Sequence, residues 1–359
     1  MEDTLTIQRA QSVPETLRLM REKLSGIIPD FEIEIKADLV YKINQLKHEK
    51  NAVILAHNYM EPALYHTVSD FRGDSLELAR ISAKCQADII VFCGVRFMAE
   101  TAKILNPKRT VLLPNLNAGC SLAGSITGAD VRRLKEQFPG VPVVSYVNTY
   151  ADVKAETDIC CTSSNAAAVV RYLGNQGHKR VIFLPDEYLA QNVARETGMP
   201  IIFPSLPGAK GDDDPVNLER VLIGWRGRCE VHEKFTVDDI TNIRRQFPDT
   251  VVLAHPECSP EVVAASDFSG STKAMIDYVR KVAAPRYLLL TECTMGDNIA
   301  ADNPNRQMLR LCSVRCPHMN LITLESTLSA LENNRFQINL PDDIILRARA
   351  SLDRMLEIG

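Results

Sequence analysis

The chain has 359 residues, 45% hydrophobic and 24% charged, and its 41 basic and 45 acidic side chains leave a net charge of −4. Such a composition supplies two or three buried cores and excludes a disordered, collagen-like or coiled-coil protein. With one Trp, scattered basic residues and no run of 18 apolar residues, the chain has neither an electrostatic footprint for nucleic acid nor a membrane span, and small-molecule chemistry is expected.

The opening MEDTLTIQRAQSVPETLR has no apolar segment of the signal-peptide kind, so a cytoplasmic protein is expected. Residues 1–37 read as an N-terminal arm in which Leu17 to Leu24 forms a short amphipathic helix. Three similar units follow. Apolar runs starting at Val53, Val143 and Val251 read as short buried strands. Each ends in a polar pair two residues apart: His57 and Tyr59, Tyr146 and Asn148, His255 and Glu257. In extended chain such a pair points to one side.

An aspartate recurs 13, 12 and 12 residues after the first polar residue, at Asp70, Asp158 and Asp267. Each opens a segment rich in Ser, Thr and Asp, the residues that cap helices. Helical stretches then run from Leu76 to Cys85, Ala166 to Leu173 and Met275 to Val282. A second strand follows in each unit, Asp88 to Phe92, Arg180 to Leu184 and Arg286 to Leu290, and then further helix. Strands alternating with helices argue for parallel βαβ units. The fold expected is α/β: three similar three-layer αβα domains with small parallel sheets, arranged with pseudo-threefold symmetry around a central active site. The divisions are 38–125, 126–233 and 234–320, with residues 321–359 packing back on the core. Open α/β sheets place ligands beyond the carboxyl ends of their strands, where helix N-termini favour anions.

The ten cysteines include no Cys-x-x-Cys pair, so any metal site must draw its ligands from distant places. Three of them recur at matching places near the ends of the units. Cys120, Cys229 and Cys316 lie 50, 71 and 49 residues after the repeated aspartates, the middle unit carrying about 20 extra residues around Gly208 to Pro215. Any one of them alone reads as a small packed hydrophobe. Three at equivalent places fit a [4Fe–4S] cluster with one iron free of protein ligands, a Lewis acid open to substrate.

The strings LAHNY, GDSLELA, MAETAKILNP, YVNT, CTSSNA, HPEC, FSGST and RCPHMNLITLE resemble the quinolinate synthase A family of NAD biosynthesis over about residues 40 to 330. The resemblance implies condensation of iminoaspartate with dihydroxyacetone phosphate to quinolinate, with release of two waters and phosphate. It implies a [4Fe–4S] cluster on Cys120, Cys229 and Cys316, and an L-aspartate oxidase or dehydrogenase to supply the labile iminoaspartate. The substrate residues carried over are His57, Tyr59, Ser75, Tyr146, Asn148, Ser163, His232, His255, Glu257, Ser271 and Thr272. Hydroxyls at helix N-termini and imidazoles suit carboxylates and phosphate. Glu257 is the natural general base, with Tyr59, Tyr146, His232 and His255 as its catalytic company. For each histidine, a structural hydrogen bond is the alternative reading. Some family members carry a Cys-x-x-Cys-x-x-Cys run. Here Cys312 stands four residues before Cys316, and packing is its expected role, with a disulfide to Cys316 open to it should the cluster be lost. Cys160, Cys161 and Cys258 read as neighbours of the site. An aconitase-type hydro-lyase and a non-catalytic iron–sulfur sensor are the rival readings.

Overall fold

The computed structural model describes residues 2–204, 219–311 and 314–358. Cys312 and the extra stretch from Gly208 to Pro215 lie outside the described residues.

The apolar runs form strands, as their continuous hydrophobicity requires of strands covered on both faces. In the first unit β1 (Ala52–His57), β2 (Phe71–Gly73), β3 (Ile89–Cys93) and β4 (Thr110–Leu112) form a sheet in the order β2-β1-β3-β4. In the second, β5 (Val143–Tyr146), β6 (Ile159–Cys161), β7 (Arg180–Leu184), β8 (Ile201–Ile202) and β9 (Val221–Gly224) take the order β6-β5-β7-β9-β8. In the third, β10 (Thr250–Ala254), β11 (Phe268–Ser269), β12 (Arg286–Leu290) and β13 (Gln307–Arg310) take the order β11-β10-β12-β13. All the pairings within these sheets are parallel. Helices Ser75–Ala83 and Arg96–Leu105, Ala166–Asn175 and Glu187–Thr197, and Thr272–Lys281 and Thr294–Asp302 connect the strands in matching places. The architecture is thus α/β with three small parallel sheets and their helices. The middle unit's extra length contributes the fifth strand, β8, at the sheet edge.

The repeated aspartate has a structural purpose. Its carboxylate accepts the backbone N–H of the neighbouring first strand in all three units: Asp70 from Ile54 at 2.7 Å, Asp158 from Val143 at 2.8 Å and Asp267 from Val252 at 2.7 Å. Each carboxylate thereby splices a short edge strand onto the central one and fixes where the chain turns toward the next helix.

A second triplication follows the cysteines. Each stands three residues before a short 3₁₀ turn, Ala123–Ser125, His232–Lys234 or Met319–Leu321. Seven residues after each cysteine comes a threonine that opens a helix with a reciprocal cap: Thr127 with Asp130, Thr236 with Asp239, Thr323 with Ser326. The helix after Cys120, Gly128–Gln137, enters the core of the second unit, and the helix after Cys229, Val237–Gln246, packs on β10 of the third. The helix after Cys316, Leu324–Asn333, packs on helix Asp30–Glu49 and on β3, returning the chain to the first unit.

The N-terminal region is helical. Helices Glu2–Gln8 and Val13–Leu24 lead into Asp30–Glu49, which runs through residue 37 and covers β1. The expected helix starts earlier than Leu17 because Ser12 caps it and Pro14 occupies its first turn. At the other end, helix Asp342–Ile358 packs against β6 and helices Arg96–Leu105 and Ala151–Lys154. No described helix is long and apolar enough to cross a membrane.

Candidate active site

The carboxyl ends of β1, β5 and β10 deliver their polar residues to one cavity of about 70 Å³, lined mostly by buried side chains. His57, Tyr59 and Ser75 of the first unit line it, with Tyr146, Asn148 and Ser163 of the second and His255, Glu257 and Thr272 of the third. His232 and the three cysteines Cys120, Cys229 and Cys316 complete the predicted set on its wall. Ser271 is the one predicted residue outside this lining. Asp74, Thr291 and Glu292 belong to the site and were not expected from sequence.

The polar pairs reach the cavity by a route other than extended chain. β1 ends at His57 and β10 at Ala254, and the chain then turns. In that turn the N–H of Tyr59 points at His57 Nδ1, and the N–H of Glu257 at His255 Nδ1, both at 3.3 Å. Burial lowers His57 to about 4 and His255 to about 3, so both rings are neutral near pH 7. A ring nitrogen that accepts a backbone N–H carries no proton, so each neutral ring bears its proton on Nε2.

The remaining hydrogens follow from that placement. His255 Nε2 lies 3.3 Å from Ser163 Oγ and donates to it, which leaves the Ser163 O–H available. Tyr65 donates to Asn58 Oδ1 at 2.9 Å, fixing that amide so that Nδ2 donates to Thr272 Oγ1, also at 2.9 Å. The Thr272 O–H is therefore available as well. The cavity thus offers neutral N–H and O–H donors, a surface suited to carboxylate and phosphate oxygens.

Glu257 is the centre of the opposite wall. Its Oε1 accepts from the Tyr146 hydroxyl at 2.5 Å and from Asn148 Nδ2 at 3.4 Å, and its Oε2 lies 2.9 Å from His232 Nδ1. Burial opposes ionisation of Glu257, but these contacts prevail and hold its carboxyl below the usual range. With His255 neutral, the weight falls on His232 and Tyr146. The chain of contacts continues from His232 Nε2 to Thr291 Oγ1 at 3.0 Å and from Thr291 Oγ1 to the Tyr59 hydroxyl at 2.5 Å. Burial raises the Tyr59 and Tyr146 phenols well above their ordinary value, so both keep their protons. His232 also stacks on His255 with ring centres 4.5 Å apart. Burial lifts Glu292 to about 7, and Asp186, behind Glu257, also rises. Asp186 and Glu292 each follow the end of the second strand by two residues, the place held by Val95 in the first unit.

The cysteines suit a metal centre. Burial pushes their thiols up, Cys120 to about 12 and Cys316 to about 11, with Cys229 also well raised. Each Sγ nevertheless faces two backbone N–H groups, from the residues two and three places onward: Leu122 and Ala123, Val231 and His232, His318 and Met319. Donors that favour thiolate in a site whose burial disfavours it call for a cation. Among the described residues, the one group whose ligand atoms all lie within 4.8 Å of one another is Cys229, His232 and Glu257. Cys229 belongs to that group, and Cys120 and Cys316 line the same cavity.

Residues 41–357 match the family described as Quinolinate synthetase A protein. The chain is 49% identical to quinolinate synthase 2 of Mesorhizobium japonicum, an alignment covering 97% of this chain and 99% of that one. It is 50% identical to the quinolinate synthase of Agrobacterium fabrum over 94% and 90% of the two chains. To that of Caulobacter vibrioides it is 48% identical, over 94% and 86%. With a match across most of its length, this chain belongs to the quinolinate synthetase A protein family.

Proposed function

We propose that the chain is a quinolinate synthase, an enzyme of NAD biosynthesis that condenses iminoaspartate with dihydroxyacetone phosphate and releases two waters and phosphate. The observation that carries this reading is one cavity joining three cysteines, a hydrogen-bonded glutamate and neutral anion donors from three units. The three units, residues 38–125, 126–233 and 234–320, would stand around that cavity with pseudo-threefold symmetry. Cys120, Cys229 and Cys316 would hold a [4Fe–4S] cluster. When bound, its open iron supplies Lewis acidity toward substrate oxygen or nitrogen.

The chain's own residues bind and move protons. His57 Nε2–H, Ser75, Ser163 and Thr272 hold carboxylate and phosphate oxygens. Glu257 takes protons from carbon and nitrogen as the new bonds form, with Tyr146 and Asn148 fixing its orientation. Tyr59, Thr291 and His232 form a relay that returns protons to departing hydroxyl groups. Iminoaspartate would come from an L-aspartate oxidase or dehydrogenase in the same compartment, expected to be the cytoplasm.

The test is direct. Anaerobically reconstituted protein mixed with both substrates should form quinolinate, measured by chromatography. Reconstituted protein that converts a hydroxy acid by dehydration and forms no quinolinate would establish the hydro-lyase reading instead.

A further inference from the structure

Beside the catalytic cavity lies a groove of about 650 Å³ between the second and third units. Ser163 lines both spaces. Three side chains, one from each unit, are bonded together where the two linings adjoin. Asp74 faces the cavity, while Ser164 and Ser271 face the groove. Both hydroxyls donate to the same oxygen, Asp74 Oδ2, at 2.9 Å. The other oxygen, Oδ1, accepts the N–H of Glu77 at 2.9 Å and caps helix Ser75–Ala83.

We propose that this junction is the gate through which small anionic substrates pass from the groove to the cavity, with Asp74 as the positioning residue that shuts it. The inference rests on the assignment of the cavity as catalytic. Opening the gate breaks two hydroxyl–carboxylate bonds. Asp74 itself stays in place, because its bond to Glu77 lies within its own helix. The carboxylate repels anions, and two O–H donors hold that charge only while the gate is shut. On the groove side stand Arg171, Arg195 and Lys273. Arg171 and Lys273 bond Glu196 and Asp277, whereas the Arg195 guanidinium bonds the oxygens of Pro260 and Asn192 and no carboxylate among the described residues. That exposed cation is placed to attract an anion into the groove.

The adjacent Ser271 and Thr272 then divide the work. Ser271 commits its proton to Asp74 and accepts the N–H of Ala274, so it has no hydrogen for substrate. Thr272 accepts from Asn58 and keeps its O–H for the cavity.

The experiment uses cluster-loaded protein, with quinolinate as the probe. In Asp74→Ala, and in the Ser164→Ala/Ser271→Ala double variant should the first fold poorly, quinolinate association and release rates should both rise by at least about tenfold, the effect of losing even one of the two hydrogen bonds to a charged group. Amide hydrogen exchange of residues 163–171 and 269–277 should quicken in the same proteins without ligand. Thr272→Val should instead weaken equilibrium binding and leave exchange unchanged. Unchanged rates and exchange in the folded gate variants would overturn the proposal, as would a Ser271→Ala variant that loses affinity as Thr272→Val does. A wild-type protein that turns over no substrate and binds no quinolinate would overturn the functional reading and the gate with it.

Discussion

Replacing Glu257 by Gln tests the catalytic centre while keeping its shape. Three donors converge on the carboxylate: the Tyr146 hydroxyl and Asn148 Nδ2 on Oε1, and His232 Nδ1 on Oε2. A carboxylate accepts all three, but an amide has one accepting oxygen and one donating nitrogen. With the amide nitrogen toward His232, Nδ1 of that ring must become an acceptor. That change disturbs the ring's contact with Thr291 and, through it, with Tyr59. With the amide turned over, the nitrogen faces Asn148 and the 2.5 Å contact to Tyr146. Either orientation removes the proposed base and disturbs its partners. Turnover should fall by about two to four powers of ten, the usual contribution of a positioned base, which is about 3–5 kcal/mol on the barrier. Iron content should hold, because Glu257 is not a ligand in the proposed site. The measurement is quinolinate formed per reconstituted cluster. Near wild-type turnover in the Gln variant would remove Glu257 as base and pass that role to His255 or Tyr59. Loss of cluster or fold with unchanged turnover per remaining cluster would make its role structural.

Serine at Cys120, Cys229 or Cys316 should abolish the cluster, measured as iron per chain, while serine at Cys85 or Cys93 should leave it intact; retention of about four irons in all three ligand variants would refute the assignment. Gly227 stands two residues before Cys229, and a Cβ there would lie 2.5 Å from Ser125 Oγ and 2.6 Å from the Pro185 carbonyl, so Gly227→Ala should cost about 1–3 kcal/mol and lower iron retention. Gly124→Ala, where a Cβ meets nothing within 4 Å, is the control and should match wild type. His66, buried beside Arg72 and Asp302, is lowered by burial from 6.5 to about 3, so protons bind the unfolded chain first and stability falls as the pH drops below about 6.5. Between pH 7 and 5 that linkage is worth about 2 kcal/mol. Urea unfolding of His66→Gln should show a shallower acid limb by that amount, and identical limbs would refute it.

The parts of the fold legible in sequence were those carried by local pattern. The central strands announced themselves as apolar runs, and the recurring Asp70, Asp158 and Asp267 marked equivalent positions even though their splicing bonds were not foreseen. The strands Thr110–Leu112 and Ile201–Ile202 escaped because two or three residues carry no period. Asp74 escaped although it precedes Ser75 in a motif that was read. Its partners lie 90 and 197 residues away, and the adjacent serine took the cap role that Asp74 holds. Thr291 had no signal at all. The equivalent places in the other units are Gly94 and Pro185, so comparing repeats hides it, and its contacts span 232 residues to Tyr59 and 59 to His232.

The polar pairs show how a correct destination can follow from the wrong local geometry. Extended chain would have aimed both members one way through backbone alternation. Instead the strand stops, and the second residue's N–H closes back on the first residue's Nδ1. That closure needs a side-chain acceptor two atoms beyond Cβ, which histidine supplies and which then forces the proton to Nε2, facing the cavity. The second unit breaks the pattern because Tyr146 has no such acceptor. Its phenol is free to reach across to Glu257. The first unit therefore turns its imidazole to the cavity, the third passes its imidazole N–H to Ser163, and the second supplies the hydroxyl that Glu257 accepts. From one repeated frame, a single change of residue at the strand end would, on the proposed function, make a binding wall on one side and a catalytic wall on the other.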